Sequence, residues 1–523
     1  MEAVAAAQLA ARVRTSRAGR RAIVFIGFMG AGKSSAARTV AAELGAVPLD
    51  SDRAFEEGLD DSLEDFFERE GEPAFRAREE DTVLRLLADP HARVVSLGGG
   101  SIGSERVRDA LREHVVVHLE VHPDDAWRRA SGKGRPLARD RARFEQLHAD
   151  RAPIYRALAD ATLPPSDRDT PRRALAALLA LREAPLGTRL VWALSASGDY
   201  PVFIGRGLIA AGFLPVEGRR FVIADENVAG LHRLAGEHAL ELALPAGERE
   251  KTIAGAESVL RELARAGAAG DDLVVALGGG VVGDLAGFCA AVYQRGVRWV
   301  GVPTTLVAQV DSAYGGKSGV DLPEGKNYAG AYHQPSAVLV DSAALETLPG
   351  AERAAGYAEV VKTALIAGGA LWASVRAGAE PDDDVVRGCL ETKLAVVAAD
   401  ERDRGARQVL NLGHTVGHAI EAATGYRRYR HGEAIAVGLL CALRLSGRDA
   451  LRAEVAELLS ARGLPTAFEG TSPERVIELV ARDKKRRGSR VPFVLVEAPG
   501  AVTPGHEVAE ADLRAAVEEA FAG

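Results

Sequence analysis

The chain lacks the features expected of a disulfide-bonded, membrane-spanning or nucleic-acid-binding protein. Its 523 residues include only three cysteines, Cys289, Cys389 and Cys441, and none has CxxC spacing. A disulfide framework and a cysteine-based zinc site are therefore not expected, and a reducing cytoplasm is favoured. No apolar run approaches the roughly 20 residues that a membrane-spanning helix needs. The net charge of −8 argues against a nucleic-acid partner, although an acidic chain can hold a local basic pocket.

The N-terminal segment has no distinctive signal. Residues 1–21 are rich in alanine and arginine and contain one acid, Glu2. An organelle transit segment and a plain extension both fit this composition. The same bias runs through the whole chain, so we expect a flexible or weakly helical extension over residues 1–19.

Strand patterns alternate with amphipathic helical stretches in both halves of the chain. The apolar runs are IVFIG (23–27), VVSLGGG (94–100), VVVHLEV (115–121), RFVIADENV (220–228), DLVVALGGGVVGD (272–284) and VRWVGVPTT (297–305). This alternation predicts α/β folds with parallel sheets. Beyond about residue 350, periodic Ala, Leu and Val predict mainly helices.

The length suggests at least two domains, and PLGTR (185–189) has the composition of a linker. We expect a first domain over 20–184. We expect the second half to consist of an α/β part over 188–350 and a mainly helical part over 351–523.

A phosphate-binding loop is the strongest motif of the first half. Gly27 to Ser34 match G-x-x-x-x-G-K-[ST] between a strand and a helix. The glycines turn backbone N–H groups toward phosphate oxygens, and the helix N-terminus adds favourable potential. Lys33 would reach the β and γ phosphates of ATP, and Ser34 would ligate Mg²⁺. The expected nucleotide contacts from the loop are Gly30, Ala31, Gly32, Lys33, Ser34 and Ser35.

Two carboxylates, Asp50 and Asp52, follow a short apolar segment. Alternate residues of an extended stretch point the same way, so both can face the loop. There they could hold Mg²⁺ or orient a substrate hydroxyl. A D-x-D alone is more typical of a solvated turn.

The motifs GFMGAGKSS, LDSD, FRAREE, LGGG, RPL and RAPIYR follow in this order, so the first half resembles shikimate kinase over roughly 20–180. The resemblance implies that ATP phosphorylates the 3-hydroxyl of shikimate. It implies that Asp52 contacts that hydroxyl and assists its deprotonation, and that Asp50 supports Mg²⁺ through water.

The same resemblance assigns roles to arginines and to a second glycine run. Arg76 and Arg151 would grip the substrate carboxylate, for which a planar guanidinium is suited. The backbone of Gly98, Gly99 and Gly100 would close the pocket. Arg135 would stabilise charge on the transferring phosphoryl group, and Arg129 would stack on adenine.

The second half carries a different glycine-rich turn, GGG-x-x-GD (278–284), between a strand and a helix. It lacks the G-x-G-x-x-G fingerprint, but bare backbone at a helix start can still approach a pyrophosphate. Asp225 and Asn227 follow an earlier strand, where a ribose hydroxyl could bind. A concentration of cations suggests an anionic ligand, and its members are Arg295, Lys317, Lys326 and Lys362, with Asn327 beside them.

His414 and His418 lie four residues apart and would share one face of a helix. A known zinc-protease motif has this spacing, but it carries a glutamate directly after the first histidine, where this chain has Thr415. From this pair alone, two metal ligands are favoured over one.

The stretches GEREKT, GGGVVGDLAGF, PTTLVAQVDSAYGGKSGVD, AEVVK, LNLGHTVGHAIE, RHGEA and DKK resemble 3-dehydroquinate synthase over roughly 188–523. The resemblance implies a Zn²⁺ or Co²⁺ site made by Glu359, His414 and His431, with open positions for substrate. His418 would then face the substrate and relay a proton. The answer to the histidine pair is thus one ligand rather than two.

The implied substrate is 3-deoxy-arabino-heptulosonate 7-phosphate. NAD⁺ would oxidise its C5 hydroxyl, phosphate would leave by elimination, NADH would return the hydride, and ring opening with aldol closure would give 3-dehydroquinate. The implied NAD⁺ contacts are Asp225, Asn227, Glu248, Lys251, Gly279, Gly280, Val281, Asp284, Thr304, Thr305, Asp311 and Lys326. The implied substrate contacts are Arg295, Asp311, Lys317, Asn327, Lys362, Lys393, Arg407, Asn411, His418 and Lys485.

The expected whole is therefore a bifunctional enzyme of aromatic amino acid (chorismate) biosynthesis. It would act on small molecules without nucleic acid or membrane, and it would dimerise through its second half. Arg295 would bind the phosphate either of its own subunit or of the partner subunit. Two alternatives stay open. The second half could be a metal-dependent NAD⁺ alcohol dehydrogenase, or one half could be a non-catalytic scaffold. One departure from the family pattern is Asp403, where glutamate is usual, with Ala406 in place of leucine.

Overall fold

The computed structural model describes residues 22–59, 63–131, 140–165, 167–486 and 492–522. The chain divides into two compact units. The N-terminal unit runs to Ala193 and also takes in Asp199–Arg206, and the C-terminal unit comprises Leu194–Gly198 and Gly207 onward. The division thus falls after a β-hairpin that follows the linker-like segment 185–189. None of the described helices is long and apolar enough to span a bilayer.

The N-terminal unit is a parallel sheet surrounded by helices. Its strands lie in the order β2-β3-β1-β4-β5-β6-β7, and all neighbours are parallel except the pair β6 and β7. The strands are β1 (Ile23–Ile26), β2 (Leu49–Asp50), β3 (Val94–Ser96), β4 (Val115–Leu119), β5 (Ala161–Leu163), β6 (Arg189–Ala193) and β7 (Tyr200–Gly205). The helices are α1 (Lys33–Glu43), α2 (Ser51–Glu56), α3 (Leu63–Ala88), α4 (Glu105–Ala110), α5 (Pro123–Ala130), α6 (Arg141–Leu158), α7 (Thr170–Arg173) and α8 (Leu175–Ala180).

Continuous apolar runs explain the central strands of this sheet. Every residue of β1 and β4 is buried, as expected for parallel strands that are covered on both faces. The carboxyl ends of β1, β2 and β3 lie side by side, because these strands are parallel neighbours. The phosphate-binding loop, Asp50 and the Gly98–Gly100 run therefore meet at one edge, where ligands of such folds bind.

The C-terminal unit begins with a second parallel sheet, of strand order β14-β11-β10-β8-β9. A separate antiparallel hairpin is formed by β12 and β13. The elements are β8 (Arg220–Asp225), α9 (Glu226–Ala229), β9 (Leu240–Leu244), α10 (Ile253–Arg265), β10 (Leu273–Gly278), α11 (Gly280–Val292), β11 (Arg298–Pro303), β12 (Lys317–Leu322), β13 (Gly325–Tyr332) and β14 (Ala337–Asp341).

Helices dominate the remainder of this unit, as the periodicity predicts. They are α12 (Gly350–Ala367), α13 (Gly369–Arg376), α14 (Asp383–Ala399), α15 (His414–Ala423), α16 (His431–Leu445), α17 (Asp449–Ala461), α18 (Pro473–Arg486) and α19 (Glu510–Glu519). A short antiparallel hairpin, β15 (Phe493–Ala498) and β16 (Ala501–His506), lies among them. The predicted fold class is confirmed: a P-loop type parallel sheet, then an α/β part and a mainly helical part.

One irregular turn positions site residues between β11 and β12. Ala308–Ser312 form a single turn of π-helix, a rare geometry that is frequent at functional sites. Gly315 and Gly316 follow with φ of 88° and 65°, in the left-handed region that glycine adopts without strain. The chain thereby reverses direction and brings Asp311 to the side of the helical part.

Candidate active sites

The phosphate-binding loop of the N-terminal unit is closed by its own lysine. Lys33 Nζ donates to the carbonyl oxygens of Gly27, at 2.9 Å, and Phe28, at 3.1 Å. Gly32 adopts φ 91° directly before α1, and a Cβ at Gly27 would come within 2.5 Å of the last carbonyl of β4. Glycine is therefore required for this loop, which presents an ammonium group and a helix N-terminus to an anion.

Asp50 lies beside this loop with a donor set that suits a hydrated magnesium ion. Its Oδ1 accepts hydrogen bonds from the backbone N–H groups of Asp52 and Arg53, and Ser96 Oγ donates to its Oδ2 at 2.7 Å. Burial raises the pKa of Asp50, but hydrogen bonds from Ser34 and Ser96 lower it below its ordinary value. The carboxylate is thus ionised beside the Ser34 hydroxyl, and hard oxygen ligands are those that Mg²⁺ prefers.

The Gly98–Gly100 run leaves space for two side chains of the expected shikimate pocket. A Cβ at Gly98 would lie 2.5 Å from Asp52 Oδ1, and a Cβ at Gly100 would overlap the Arg76 guanidinium. Arg76 is oriented by Glu79, whose Oε2 lies 2.6 Å from Arg76 Nη1. Glu79 was not among the predicted site residues, although its spacing of three from Arg76 places both on one face of α3.

Arg151 reaches the same pocket from α6. Arg151 Nη1 and the Tyr155 hydroxyl both donate to the carbonyl oxygen of Gly99, at 3.0 and 2.6 Å. Burial raises the pKa of Tyr155 to about 12, so its hydroxyl remains a donor at neutral pH. The structure therefore brings Asp52, Arg76 and Arg151 to the three consecutive glycines.

Of the two arginines expected near the nucleotide, the structure describes only Arg129. Arg129 Nη1 donates to the carbonyl oxygen of Gly30 at 3.0 Å, which ties α5 to the phosphate-binding loop. Arg135 lies outside the described residues. Ala31 is in the loop, and Ser35 is the third residue of α1.

In the C-terminal unit, a small cleft lies at the start of α11. Its lining includes Gly278, Gly279 and Gly280. A Cβ at Gly279 would lie 2.9 Å from Thr305 Cγ2, and one at Gly280 would lie 3.0 Å from Ser312 Oγ. The N-terminus of α11, with Val281 as its second residue, therefore presents bare backbone N–H groups to the cleft, as an anionic cofactor requires.

Two hydroxyl groups near this cleft are buried without a hydrogen-bond partner among the described residues: Thr304 Oγ1 and Ser312 Oγ. An unpaired buried hydroxyl is costly, so both fit a site that a polar ligand completes. Ser312 was not predicted, because its proximity to Gly280 arises only from the π-helical turn. Thr305 Oγ1 instead accepts from the N–H of Ala308 at 3.2 Å.

Ion pairs extend from the cleft along the sheet. Lys251 Nζ lies 2.9 Å from Asp284 Oδ2 and 3.4 Å from Glu248 Oε1, and Lys326 Nζ lies 3.4 Å from the same Glu248 oxygen. Burial raises the pKa of Asp284, and the Lys251 ammonium only partly offsets this effect. Asp225, at the end of β8, accepts from the Asn227 N–H at 2.9 Å and caps α9.

The predicted metal ligands converge from three helices of the same unit. Glu359 Oε1 lies 3.7 Å from His414 Nε2 and 3.5 Å from His431 Nε2. These distances are too long for hydrogen bonds. Donors bound at about 2.0–2.2 Å to a tetrahedral zinc ion lie about 3.3–3.6 Å apart. The three groups therefore lie close enough together to bind one divalent ion.

Hydrogen bonds at the opposite ring nitrogens fix both imidazoles. His414 Nδ1 lies 3.0 Å from the carbonyl oxygen of Leu412, and His431 Nδ1 lies 3.3 Å from Glu421 Oε2. Such outer partners set the tautomer and orientation of metal-binding histidines. Glu421 was not predicted, although its position seven residues after His414 puts both on one face of α15.

His418 joins the cluster without facing Glu359. The nearest nitrogen atoms of His414, His418 and His431 all lie within 4.8 Å of one another. Within the described residues, the Glu359 carboxylate pairs only with the first and third of these imidazoles. Burial lowers the pKa of His418 to about 4, so the ring is neutral at physiological pH.

The pKa values of His414, His431 and Glu359 are set by burial and by the charged groups beside them. Burial, reinforced by Lys362, lowers the pKa of His414 to about 3. Burial opposes the charged form of His431, but the nearby carboxylates of Glu359 and Glu421 raise its pKa to about 9. Burial raises the pKa of Glu359, but Lys362 and His431 bring it well below its ordinary value.

Three charged groups continue the cluster toward the cleft. Lys362 Nζ lies 2.5 Å from Glu359 Oε2 and 3.7 Å from Asp311 Oδ2, and Lys393 Nζ lies 2.5 Å from Asp311 Oδ1. Burial raises the pKa of Asp311, but Lys362 and Lys393 lower it to about 2. Asp311 is thus ionised between two ammonium groups.

The other predicted substrate contacts border this cluster. Lys317 Nζ lies 2.5 Å from Asp403 Oδ2. Arg407 Nη1 donates to the carbonyl oxygens of Glu401, at 2.6 Å, and Gly315, at 3.2 Å. Asn411 ends the 3₁₀ segment that begins at Ala406 and includes Arg407.

Three further substrate contacts were predicted, at Asn327, Arg295 and Lys485. Asn327 has φ 56° and follows Lys326 on β13. Arg295 lies beyond the C-terminal end of α11, and a helix of 13 residues is about 20 Å long, so Arg295 is at the opposite end of this helix from Gly280. The side chain of Lys485 lies outside the described residues.

Comparisons with known proteins match both halves. Residues 29–181 match the family model described as shikimate kinase. Residues 241–355 and 356–486 match those described as 3-dehydroquinate synthase N-terminal and C-terminal. The 3-dehydroquinate synthase of Halorhodospira halophila is 45% identical over 346 residues, which cover 62% of this chain and 97% of that protein.

The chain belongs to the 3-dehydroquinate synthase family. The 3-dehydroquinate synthase of Symbiobacterium thermophilum is 42% identical over 348 residues, which cover 61% of this chain and 97% of that protein. Together with the shikimate kinase match, these findings make the chain a fusion of a shikimate kinase and a 3-dehydroquinate synthase, as the motifs predict.

Solved structures match the synthase half. A 2-epi-5-epi-valiolone synthase from Streptomyces hygroscopicus subsp. jinggangensis 5008, solved with NAD⁺ and Zn²⁺ bound, is 26% identical with a TM-score of 0.58. The match covers 63% of this chain and 99% of that one. A 2-deoxy-scyllo-inosose synthase complexed with carbaglucose-6-phosphate, NAD⁺ and Co²⁺ shares the fold, at 23% identity and a TM-score of 0.55, and covers 64% and 100% of the two chains.

Proposed function

We propose that the chain catalyses two reactions of the shikimate pathway, one in each half. The first is ATP-dependent phosphorylation of the 3-hydroxyl of shikimate. The second converts 3-deoxy-arabino-heptulosonate 7-phosphate to 3-dehydroquinate and phosphate. The observation that carries the synthase assignment is the approach of Glu359 Oε1 to Nε2 of both His414 and His431, in a chain that is 45% identical to a 3-dehydroquinate synthase.

In the kinase half, the phosphate-binding loop and Lys33 position ATP. Ser34 would ligate a magnesium ion, and Asp50 would support this ion through water. Asp52 accepts the proton of the substrate hydroxyl as it attacks the γ-phosphorus, which general base catalysis accelerates. Arg76 and Arg151 bind the substrate carboxylate, because both guanidinium groups meet at the glycine run. Most of the rate gain comes from positioning and from charge stabilisation.

In the synthase half, Glu359, His414 and His431 hold a zinc or cobalt ion, and the start of α11 with Thr304 and Ser312 holds the pyrophosphate side of NAD⁺. When bound, the metal polarises the substrate hydroxyls and NAD⁺ accepts and returns one hydride, so the reaction has no net redox change. The neutral ring of His418 moves a proton at the substrate. Lys362 and Asp311 bind hydroxyl groups of the substrate next to the position where His418 acts.

The anionic ends of the substrate meet separate cations. Lys317 and Asn327 bind the phosphate, and Lys393, Arg407 and Asn411 bind the carboxylate and ring hydroxyls. Arg295 lies at the far end of α11, so we propose that it serves the phosphate site of a second copy in a homodimer. The free, buried state of Cys289, Cys389 and Cys441 supports a cytoplasmic location.

The test uses metal-stripped full-length protein assayed for both reactions in one sample. Phosphate release from the heptulosonate phosphate is measured with NAD⁺ and with Zn²⁺ or Co²⁺ added back, while shikimate-dependent ADP formation is followed in parallel. We expect metal to restore phosphate release without accumulation of NADH, and the kinase to be indifferent to NAD⁺. Accumulating NADH would indicate an alcohol dehydrogenase, and no phosphate release beside an active kinase would indicate a scaffold.

A further inference from the structure

Glu421 is a buried carboxylate that the proposed reactions do not use. It lies on α15, three residues after His418 and seven after His414, so that all three side chains share one face of the helix. Its side chain is only 3% exposed. A buried carboxylate is costly unless each of its oxygens finds a partner.

Its two oxygens contact two different parts of the synthase half. Oε2 lies 3.3 Å from His431 Nδ1, on the mainly helical side. Oε1 lies 3.5 Å from Lys326 Nζ, which belongs to the β12–β13 hairpin of the α/β part. The His431 ring is thereby held between two carboxylates, because its Nε2 faces Glu359 Oε1 at 3.5 Å.

Lys326 continues the contact toward the cofactor cleft. Its ammonium also lies 3.4 Å from Glu248 Oε1, which pairs with Lys251 at 3.4 Å. Lys251 in turn pairs with Asp284, a residue of α11 that lines the cleft. Alternating charges thus run from His431 to the cofactor cleft, through Glu421, Lys326, Glu248, Lys251 and Asp284.

We propose that Glu421 is a positioning residue that orients His431 for the metal and, through Lys326, couples metal binding to dinucleotide binding. The inference rests on the proposed synthase function. An anionic dinucleotide that draws Lys326 toward itself frees the carboxylate to accept more strongly from His431 Nδ1, which makes Nε2 a better ligand. NAD⁺ then tightens metal binding, and by linkage the metal tightens NAD⁺ binding equally.

The test is Glu421→Gln in the full-length protein. This variant keeps the size of the side chain and removes its charge. We expect Co²⁺ to bind about 10–100-fold more weakly, as when outer partners of metal ligands are removed. We also expect a changed visible Co²⁺ spectrum and loss of the NAD⁺ effect on Co²⁺ affinity. A merely structural role would lower stability and leave the Co²⁺ spectrum as in the wild type.

Glu401→Gln is the matched control. Glu401 is buried to a similar degree, 7% exposed, and its carboxylate contacts Ser197 and Gln334 rather than a histidine. We expect its Co²⁺ affinity and spectrum to equal those of the wild type. A Co²⁺ affinity of Glu421→Gln that matches this control overturns the inference.

Lys326→Gln keeps the test decisive if Glu421→Gln does not fold. We expect it to retain the Co²⁺ spectrum and lose the NAD⁺ effect on Co²⁺ affinity; a retained effect overturns the coupling. The wild type separates the two levels of proposal. If it binds no Co²⁺, the proposed function fails together with the inference, whereas if it binds Co²⁺ and NAD⁺ with no mutual effect, the coupling alone fails.

Discussion

The two sites hold their lysines in opposite ways. In the kinase half, Lys33 donates to backbone carbonyl oxygens of the phosphate-binding loop. In the synthase half, Lys362 pairs with Glu359, and Lys393 pairs with Asp311. The first lysine is therefore held by backbone shape, and the other two by buried charges that compensate one another.

This difference determines which substitutions each site tolerates. Lys33 is only partly buried, so water can replace it at the carbonyl oxygens, and each lost hydrogen bond costs about 0.5–1.5 kcal/mol. Removing one member of a buried ion pair leaves the other uncompensated, which costs about 3–5 kcal/mol. Removal of a lysine should therefore cost the synthase half more stability than it costs the kinase half.

The largest expected effect is on catalysis, from Glu359→Gln. Loss of the metal ligand removes several kcal/mol of transition-state stabilisation, which corresponds to about 10³-fold or more in the rate of phosphate release. Shikimate-dependent ADP formation in the same sample should remain at the wild-type rate. A tenfold loss of rate corresponds to only about 1.36 kcal/mol. Phosphate release that stays above about a tenth of the wild-type rate would therefore contradict the proposed metal site.

The next largest effect is on stability. We compare the loss of stability when one lysine is removed from each site. Lys362→Met leaves Glu359 and Asp311 buried without their common cation, so we expect α12 to lose about 3–5 kcal/mol of protection in native-state hydrogen exchange. Lys33→Met removes two bonds to carbonyl oxygens, and α1 should lose about 1–3 kcal/mol. Equal losses in the two helices would remove the distinction drawn between the sites.

The fold shows which features local patterns could predict. Continuous apolar strands and the glycine-rich loop are local signals, and the sheets and the phosphate-binding turn follow from them. The pairing of β6 with β5 depends on contacts between segments far apart in the chain. The linker-like composition at 185–189 therefore does not mark the point at which the two compact units divide. The β15–β16 hairpin likewise has no strong periodicity within a stretch that reads as helical.

The site residues also fall into two groups: those that local sequence patterns predict and those that depend on contacts with distant segments. Motif residues such as Lys33 and His414 stand out by spacing, and the structure places His414 beside Glu359. Ser312 and Glu421 act through contacts with distant segments, which spacing alone does not reveal. The roles of Arg135 and Lys485 stay predictions, since they lie outside the described side chains.

A third prediction concerns the glycine run of the kinase half. Gly98→Ala places a methyl group 2.5 Å from Asp52 Oδ1, so the carboxylate must move away from the substrate hydroxyl. A misplacement of about 1 Å can cost about 10²-fold in rate, and we expect a loss of that order in the kcat of ADP formation.

Gly103→Ala is the matched control, because nothing lies within 4 Å of a Cβ at this position in the same loop. Its kinase activity should equal that of the wild type, and the synthase activity of both variants should be unchanged. Equal losses in the two variants would show that the loop responds to helix propensity rather than to the position of Asp52.

The smallest expected effect is at Asp403, for which the resemblance predicts glutamate. Its carboxylate pairs with Lys317, whose side chain is 47% exposed, and this pair must open for phosphate to bind the lysine. Exposed pairs are worth about 0.2–1 kcal/mol, so Asp403→Asn should lower the KM for the heptulosonate phosphate by about 1.4–5-fold. Asp403 has φ 57°, which asparagine adopts as readily, so backbone strain does not confound the comparison. A raised KM would instead mean that Asp403 orients Lys317 for phosphate rather than competing with it.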